Sequence, residues 1–327
     1  MMIKGQIKSA THVFLLIIGG AIPAVSTPGW APQSPIFSAE DHIDEVVEAV
    51  RCFDKLKLAR DVHLVDLFGG HGALSRAWSK NKHGTVLFDT AASGEDHNII
   101  SRDGFFRALG YTLRLVKGGL LAGGPPCSLF VWISSSIHKR TKENCEGDET
   151  NPKVRQANII VYNVMVLSVV AVCRQCEVFL EQPSSSRMFG LKKYDRVKNL
   201  FQWSSVFTWM SCFGHVAPKP SILQSSMEEI ESLKKKRKRR TTQAATSWAT
   251  SGKRLWFRDS KGWVSGGKGL SKSARYTTKF ANEVHKVWLK GYNAAFKQHR
   301  RKEARYKKLA ATNMNKLKRA LTALAAA

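Results

Sequence analysis

The pattern of apolar positions along the chain predicts one amphipathic helix followed by strands that alternate with helices. Apolar residues recur at helical spacing between positions 43 and 56, after an S-x-x-D sequence at Ser38 that is typical of a helix start. Strands that alternate with helices indicate an open, mostly parallel α/β sheet. The predicted strands lie at 62–68, 85–88, 119–122, 178–180 and 206–213, and the predicted helices lie from position 73 onward and at 105–116 and 154–172.

Both ends of the chain depart from this pattern. Lys4 and Lys8 precede an apolar run at 13–25, which glycine and proline interrupt, so the run is too short and broken for a membrane span. It is either a secretory or organelle-targeting leader or a hydrophobic extension without a targeting role. From Tyr276 the chain is predicted to be helical, with an apolar face around Phe280 and with Lys and Arg over the remainder.

Charge divides the chain more sharply than hydrophobicity does. The 327 residues include 52 Lys and Arg against 25 Asp and Glu, a net charge of +27 that excludes an acidic buffer protein. Residues 1–231 carry 25 basic and 22 acidic side chains, a balance of +3, whereas residues 232–327 carry 27 and 3, a balance of +24. Such a polycationic segment binds phosphates, either in nucleic acid or on an anionic membrane. Its densest part is the run Lys234, Lys235, Lys236, Arg237, Lys238, Arg239 and Arg240.

The six cysteines do not have the spacing of a disulfide framework, which favours a reducing compartment. Cys173 and Cys176 form a CxxC pair inside an apolar stretch, but no second pair lies at zinc spacing. We therefore expect buried structural cysteines there rather than a redox or metal site, and we expect no bound metal.

Polar and glycine residues follow the predicted strands at the points where open parallel sheets bind ligands. The sequence DLFGGHG at 66–72 follows the first strand, and glycines in such a turn let the backbone approach a ligand at a helix amino terminus. Asp89 ends the second strand, 17 residues after Gly72, where a carboxylate can accept hydrogen bonds from a ribose. A glycine turn of this kind is equally compatible with a structural role.

The tetrapeptide Gly-Pro-Pro-Cys at 124–127 follows the third predicted strand. Its two prolines stiffen the loop and remove two amide donors, which fixes the direction of the Cys127 thiol, a strong nucleophile when ionised. The tetrapeptide alone is also compatible with a buried cysteine in a tight turn. Glu181 at the end of the fourth strand favours a catalytic interpretation because it offers an acid or hydrogen-bond partner across the same crevice.

Together these motifs resemble the cytosine-C5 DNA methyltransferases, which depend on S-adenosyl-L-methionine (AdoMet). DLFGGHGALS is similar to the family's AdoMet-binding first motif, D-L-F-x-G-x-G-G, and GGPPCS is similar to its G-P-P-C-Q nucleophile loop. The sequence Leu-Glu-Gln-Pro at 180–183 stands where the family has E-N-V, with Glu181 54 residues after Cys127. The match covers about residues 61–220, and CSLFVWISSS and FLEQPSSSRMF resemble a divergent algal branch of the family.

The resemblance implies a sheet of the Rossmann-like AdoMet-dependent methyltransferase type, with a basic, partly helical C-terminal extension. It implies that Cys127 attacks C6 of a cytosine extruded from its stack, while Glu181 hydrogen-bonds the N3 edge, so that C5 takes the methyl group of AdoMet. Asp66 is expected to order the glycine loop, and Asp89 to contact the ribose. The residues expected to bind AdoMet are Phe68, Gly70, Gly72, Asp89 and Pro125.

The chain departs from the family pattern at several positions. Ser128 replaces the glutamine that follows the family's cysteine, and Gln-Pro at 182–183 replaces Asn-Val. No Q-x-R-x-R motif is evident. The alternatives to DNA methylation are a catalytically silent nucleic-acid-binding protein on a methyltransferase fold and an RNA cytosine-C5 methyltransferase. Candidates for holding phosphate in place of the missing motif are Lys139, Arg140 and Arg187.

The expected organisation follows from these motifs and from the charge. DNA is the expected partner, RNA and a membrane surface for the basic helix are alternatives, and no obligate protein partner is expected. The basic run is alternatively a solvated loop or a nuclear import signal, and nuclear localisation is expected unless the amino terminus directs the chain to an organelle or secretory route. The predicted parts are a leader and linker at 1–37, a methyltransferase-like catalytic domain at 38–231, a basic insertion or small target-recognition region at 232–275, and a basic helical segment at 276–327 whose start can complete the catalytic domain.

Overall fold

The computed structural model describes residues 36–215, 217–235, 256–258, 264–266, 274–299 and 319–322. Several predictions lie outside these residues. They concern nearly all of the leader and linker at 1–37, most of the region at 232–275, the chain at 300–318 and, in the basic run, Lys236, Arg237, Lys238, Arg239 and Arg240.

Six strands form the main sheet of the described residues, and a separate pair forms a small second sheet. The strands of the main sheet are β1 (Val62–Leu67), β2 (Thr85–Phe88), β3 (Leu115–Gly123), β4 (Glu177–Pro183), β5 (Ser204–Trp209) and β6 (Pro220–Ser225). The small sheet pairs β7 (Trp256–Arg258) with β8 (Val264–Gly266) in antiparallel register.

Helices connect most of these strands. Polar caps start two of the longer ones, because the Ser101 hydroxyl accepts a hydrogen bond from the Gly104 amide, and the Asn151 side chain accepts one from the Lys153 amide. The described α-helices are α1 (Ile43–Lys55), α2 (Ala73–Lys80), α3 (Thr90–Ser93), α4 (Arg102–Leu113), α5 (Ser135–His138), α6 (Pro152–Cys173), α7 (Lys192–Leu200) and α8 (Thr278–His299). Short 3₁₀ helices lie at Ala39–His42, Gly94–His97, Trp132–Ser134, Met188–Gly190, Met210–Phe213 and Glu228–Leu233.

The strand order of the main sheet is β2-β1-β3-β4-β6-β5. Strands β2, β1, β3 and β4 pair in parallel, whereas β6 runs antiparallel to both of its neighbours, β4 and β5. The chain passes from β1 to β2 on one side and then to β3 on the other, so the strand order reverses at β1. In open α/β sheets, the crevice beyond the carboxyl ends of the strands at such a reversal is the usual ligand site.

Helices cover both faces of the sheet, and alternate residues of the strands point into two cores. Val65 and Leu121 belong to the core beneath α1, α4 and α6. Their chain neighbours Leu64 and Leu120 belong to the opposite core, which α2 and α8 cover. Helix α6 is long and apolar enough to cross a membrane by composition, but 72% of its most apolar window is buried inside the protein, as in a core helix.

The structure confirms an α/β fold built on a mixed, mostly parallel sheet. Helix α8 begins where a helix was predicted, and it packs on the same sheet as α2. The indole Nε1 of Trp288 donates a hydrogen bond to the Gly118 carbonyl oxygen in β3 over 2.8 Å. The first part of the C-terminal segment is therefore integral to the sheet domain.

Three predicted elements differ in the structure. The helix expected at 105–116 ends at Leu113, because Leu115 already pairs with Val62 of β1, and β3 is correspondingly longer than predicted. The strand expected at 206–213 ends at Trp209 and continues as a 3₁₀ helix. The order of elements after position 213 differs too, because strand β6 begins at Pro220, a position where the missing amide hydrogen of proline is tolerated.

Candidate functional site

A cavity of about 750 Å³ lies beyond the carboxyl ends of the central strands. The glycine loop after β1, the end of β2, the Pro-Pro-Cys loop after β3 and the end of β4 contribute to its walls, as does the segment before α8. Gly72, in contrast, does not line the cavity and instead precedes the first residue of α2. The predicted site residues that line the cavity are Phe68, Gly70, Asp89, Pro125, Cys127 and Glu181.

The glycine loop turns sharply between β1 and α2. Phe68, Gly70 and Gly72 have φ angles of +56°, +53° and +64°, in the left-handed region that strongly favours glycine. A Cβ atom on Gly69 would lie 2.6 Å from the Asp66 carboxylate and would also strike Leu87. A Cβ atom on Gly70 would meet no described atom within 4 Å, so glycine is favoured there by its φ angle alone. The loop therefore brings bare backbone to the wall of the cavity.

Two aspartates hold this loop. Asp66 is 1% exposed, and its Oδ2 accepts hydrogen bonds from the Ser75 amide at 3.2 Å and the Ser75 hydroxyl at 2.9 Å. Burial raises the pKa of Asp66 to about 6. Asp89 uses Oδ2 to accept the Gly70 amide at 2.8 Å and Oδ1 to accept the Ala91 amide at 2.7 Å. Each Asp89 oxygen keeps a second lone pair for a ligand in the cavity.

The Pro-Pro-Cys loop is fastened to the end of β4. Pro125 is buried, and its carbonyl oxygen accepts a hydrogen bond from Gln182 Nε2 at 2.6 Å. Gln182 Oε1 in turn accepts the Ser186 hydroxyl at 2.9 Å. Beyond the prolines, the Cys127 carbonyl oxygen accepts the Phe130 amide at 2.9 Å, which begins a helical turn. Gln182, one of the departures from the family pattern, therefore fixes the backbone that carries Cys127.

Glu181 is 4% exposed, and its two oxygens have different surroundings. Oε2 accepts a hydrogen bond from the Tyr276 hydroxyl at 3.1 Å. Oε1 lies 3.4 Å from the Lys219 ammonium but receives no hydrogen bond from any group that the structure describes. Lys219 Nζ also lies 5.6 Å from the centre of the Tyr276 ring. A buried carboxylate, an ammonium group and a phenol thus meet on one wall of the cavity.

Sequence reasoning did not assign site roles to Lys219 and Tyr276. Lys219 lies between two prolines in a hairpin, and the sequence predicts Tyr276 only as the start of a helix. Lys219 has a φ angle of +33°, an unusual backbone conformation of the kind that clusters at functional sites. No motif indicates either residue, because each reaches Glu181 through the packing of a distant segment.

The surroundings of Cys127 favour the thiol over the thiolate. Burial raises the pKa of Cys127, the charge of Glu181 raises it further, and the charge of Lys219 lowers it. The Cys127 side chain is half-buried in the cavity wall. In the protein without ligands, Cys127 is therefore held mainly in its protonated form.

Two of the three candidates for holding phosphate, Arg140 and Lys139, have other partners in the structure. Arg140 is buried, donates hydrogen bonds to the carbonyl oxygens of Leu129 at 2.7 Å and Glu146 at 2.9 Å, and its guanidinium lies 4.1 Å from the Phe130 ring centre. Burial lowers the pKa of Arg140 to about 10. Lys139 forms an ion pair with Asp148 at 2.6 Å. Arg140 therefore supports the loop after Cys127 and is not accessible to a phosphate.

The basic run begins at the edge of the described residues. Lys234 and Lys235 are exposed, and Lys234 Nζ forms an ion pair with Glu231 Oε2 at 3.5 Å. An exposed pair of this kind contributes little to stability, so the Lys234 ammonium remains accessible to a polyanion.

Two of the cysteines outside the cavity, Cys145 and Cys176, are buried. The six cysteines, all within the described residues, form no disulfide. Cys176 is buried, which raises its pKa to about 11, and its thiol lies 3.4 Å from both the Val116 carbonyl oxygen and Arg60. Among the residues that the structure describes, no group of three or more His, Cys, Asp or Glu side chains is placed to hold a metal ion.

The wall of the cavity combines bare backbone, carboxylates and a thiol. Bare backbone and carboxylates at the glycine loop suit a nucleoside-like ligand, while the thiol and the buried carboxylate suit addition to a polar, unsaturated ring. Comparisons with protein-family models, with curated proteins and with solved structures found no match to this chain.

Proposed function

We propose that the protein is an AdoMet-dependent methyltransferase that transfers a methyl group to C5 of cytosine in DNA, with Cys127 as the nucleophile. The observation that carries this proposal is the single cavity whose wall contains Cys127, Glu181 and the glycine loop. The parallel strands bring their carboxyl ends to one edge of the sheet, so the thiol, the carboxylate and the glycine loop can all reach one bound ligand. The parallel strands around β1, with the reversed β6 near one edge, are compatible with the Rossmann-like methyltransferase type.

The residues around the glycine loop fit AdoMet. Gly69 leaves no space for a side chain, so the backbone itself forms the wall, and Asp89 presents carboxylate oxygens of the kind that bind ribose hydroxyls. Phe68, Gly70 and Pro125 line the same part of the cavity, and Gly72 starts the helix that points its amino terminus towards it. When bound, AdoMet would supply an electrophilic methyl group, whose bond to the sulfonium sulfur breaks to leave S-adenosylhomocysteine.

Cys127 is assigned the covalent step. Its sulfur forms a bond to C6 of a cytosine flipped out of the stack, and the C5–C6 double bond becomes electron density on C5. After C5 has gained the methyl group, loss of the C5 proton to solvent returns its electron pair to the C5–C6 bond and expels the sulfur. The thiol must lose its proton for the addition, although burial raises the pKa of Cys127, so substrate binding has to favour the thiolate.

Glu181 and Lys219 are assigned to the base. Glu181 Oε1, which lacks a hydrogen bond from any described group, is placed to contact the N3 edge of a cytosine, while Lys219 supplies a positive charge 3.4 Å away. As the base binds, N3 takes up a proton from solvent and donates it in a hydrogen bond to Oε1, which draws electron density from the ring and makes C6 more susceptible to the sulfur. The chain lacks an evident Q-x-R-x-R motif, and we assign Lys219 to supply a cation in its place.

DNA is the proposed substrate because the cationic residues are concentrated outside the nearly neutral domain. The run from Lys234 to Arg240 and the charge balance of +24 over 232–327 provide a nonspecific contact with phosphates. A nucleic-acid substrate and this basic run are also the reasons to propose a nuclear location.

Incubation with radiolabelled AdoMet and duplex DNA tests the proposal. Label should accumulate at C5 of cytosine, and Cys127→Ser should abolish transfer because a hydroxyl is a far weaker nucleophile. The matched control is Cys52→Ser, which changes a cysteine of α1 away from the cavity and should leave transfer unchanged. Persistent transfer by the Cys127 variant would refute the mechanism, and parallel reactions with folded RNA identify the nucleic acid.

A catalytically silent nucleic-acid-binding protein is the second candidate, and the raised pKa of Cys127 favours it. This candidate predicts DNA or RNA binding without any methylated product. Binding measured at several salt concentrations should weaken by about 0.9 log units per log unit of salt for each phosphate contacted. Salt-sensitive binding combined with no transfer under any condition would select this candidate over the enzyme.

A further inference from the structure

Tyr276 lies directly in front of helix α8, about 95 residues after Glu181 in the chain, yet its hydroxyl contacts that carboxylate. The hydroxyl donates a hydrogen bond to Glu181 Oε2 at 3.1 Å. A Cβ atom on Gly124 would lie 2.7 Å from the same hydroxyl oxygen, so the glycine before the Pro-Pro-Cys loop makes room for it. The hydroxyl thus fits between two elements of the candidate active site.

The packing of α8 determines where this hydroxyl lies. The adjacent Thr277 donates its hydroxyl to the Phe213 carbonyl oxygen at 2.6 Å and accepts the Phe280 amide at 3.1 Å. The Tyr276 ring lies 5.2 Å from the ring of Phe280, which is completely buried. Tyr276 is therefore held from both sides by the domain core.

The contact leaves the two oxygens of Glu181 in unequal positions. Oε2 accepts a hydrogen bond from Tyr276, whereas Oε1 is buried and pairs with the Lys219 ammonium at 3.4 Å without receiving a hydrogen bond from any described group. A buried acceptor without a donor is rare in proteins, and one that lines a cavity indicates a ligand that supplies the donor. The arrangement keeps one oxygen for the protein and one for the substrate.

We propose that Tyr276 is a positioning residue, which holds Glu181 through Oε2 so that Oε1 is presented to the substrate base. The assignment rests on the methyltransferase function proposed above. Tyr276 itself contacts neither reacting atom. Through it, the C-terminal helix α8 becomes part of the catalytic apparatus and not merely a cover for the sheet.

The charges around this contact keep the phenol a donor. Glu181, Lys219 and Cys127 face it from β4, the β5–β6 hairpin and the Pro-Pro-Cys loop, and Asp66 contributes from β1. Burial and the neighbouring negative charge of Glu181 raise the pKa of Tyr276 well above its ordinary value. The hydroxyl therefore stays protonated at every pH at which the enzyme would work.

Tyr276→Phe tests the proposal because it removes the hydroxyl and keeps the ring. We expect kcat for methyl transfer to fall by about 10- to 100-fold, since small misplacements of catalytic groups have effects of this size, with KM for AdoMet unchanged. Tyr292→Phe is the matched control: it makes the same substitution in α8, where the ring stacks on Trp288 far from Glu181. An unchanged kcat for Tyr276→Phe would overturn the proposal.

Alkylation of Cys127 provides a readout that needs no enzymatic activity. The rate of reaction with iodoacetamide is measured against pH, and mass spectrometry of peptides separates Cys127 from the other cysteines. Because Glu181 acts on the Cys127 thiol through its charge, Tyr276→Phe should shift the pH midpoint, and the shift should vanish in a Glu181→Gln background.

These two readouts separate the failure of each proposal. A protein that transfers no methyl group, but whose Cys127 midpoint shifts with Tyr276→Phe only when Glu181 is present, retains the positioning contact and loses the proposed function. A shift that persists in the Glu181→Gln background, or no shift at all, overturns the positioning role even if the wild-type protein is an active methyltransferase.

Discussion

Gln182 and Pro125 join the ends of two neighbouring strands through one hydrogen bond, in which Gln182 Nε2 donates to the Pro125 carbonyl oxygen over 2.6 Å. The bond matters because Pro125 lacks an amide hydrogen and the loop after it carries Cys127. Gln182 stands where the cytosine-C5 methyltransferases have the asparagine of Asn-Val, and this hydrogen bond gives it a structural role. The position of the nucleophile depends on the strand that carries Glu181.

Gln182→Leu should destabilise the protein and displace the Pro-Pro-Cys loop. The variant leaves the buried Pro125 carbonyl without a donor, which costs about 1–3 kcal/mol of unfolding free energy. Urea denaturation measures the loss. Ser186→Ala keeps the bond to Pro125 and removes the outer contact of Gln182, together with the bond that the Ser186 hydroxyl accepts from the Met188 amide at 3.2 Å. It should cost less, so equal losses for the two variants would contradict the role assigned to the inner bond.

Substitutions at the adjacent glycines should differ in effect. Gly70→Ala should cost about 1–2 kcal/mol, because the new side chain meets open space but occupies a left-handed conformation. Gly69→Ala should cost more, because its Cβ would lie 2.6 Å from the Asp66 carboxylate, which Ser75 holds in place. Urea denaturation of both variants provides the comparison, and a greater loss for Gly70→Ala would be inconsistent with this loop geometry.

Asp66 should make the protein less stable as pH rises from about 4 to 6. Its pKa is about 6 in the folded protein against an ordinary value of 3.8, so the folded state binds the proton more tightly than the unfolded state. The stabilisation from the protonated side chain is complete below pH 4 and is lost as pH rises through 6, a change of about 3 kcal/mol.

Asp66→Asn removes this titration and keeps an oxygen that can accept the Ser75 hydrogen bonds. Urea denaturation at pH 4, 5, 6 and 7 should show the variant gaining stability relative to the wild type as pH rises. Because the other carboxylates are common to both proteins, their contributions cancel in the difference. A difference that stays constant across this range would show that burial does not raise the pKa of Asp66.

Removing each of the two charges near Cys127 should shift the pKa of its thiol in opposite directions. Lys219 lowers the pKa of Cys127 and Glu181 raises it. Lys219→Met should therefore move the midpoint of iodoacetamide alkylation to higher pH, and Glu181→Gln should move it to lower pH. Lys219→Arg retains the charge and should stay near the wild type. Shifts of the same sign for both substitutions would mean that the variants change burial instead of charge.

Much of the site could be predicted because its motifs are local. A glycine loop between a strand and a helix is specified by neighbouring residues, and so is the Pro-Pro-Cys turn, which is why Phe68, Gly70, Asp89, Pro125 and Cys127 were found. The α/β class follows similarly from alternating apolar runs. Gly72 is expected to bind AdoMet, but it precedes α2 and does not line the cavity, so its role in binding stays a prediction.

The remaining features depend on contacts between distant segments. Leu115 has the periodicity of the preceding helix, but pairing with Val62 places it in a strand. Strand β6 contains serine and glutamine and starts with proline, so its sequence lacks the pattern of a central strand. Tyr276 reaches Glu181 only when α8 has packed on the sheet. No arrangement of nearby residues encodes these contacts.

The reversed direction of β6 explains how Lys219 enters the crevice. In a fully parallel sheet, every loop at the carboxyl ends of the strands follows a strand. Because β6 runs antiparallel, its amino end lies at this same edge, and Lys219, which precedes β6, lies beside the residues that follow the parallel strands. Lys219 directly precedes Pro220, so the register of β6 against β4 and β5 sets where the ammonium lies. A shift of that register by two residues would move this cation along the rim and keep each side chain of β6 on its present face of the sheet.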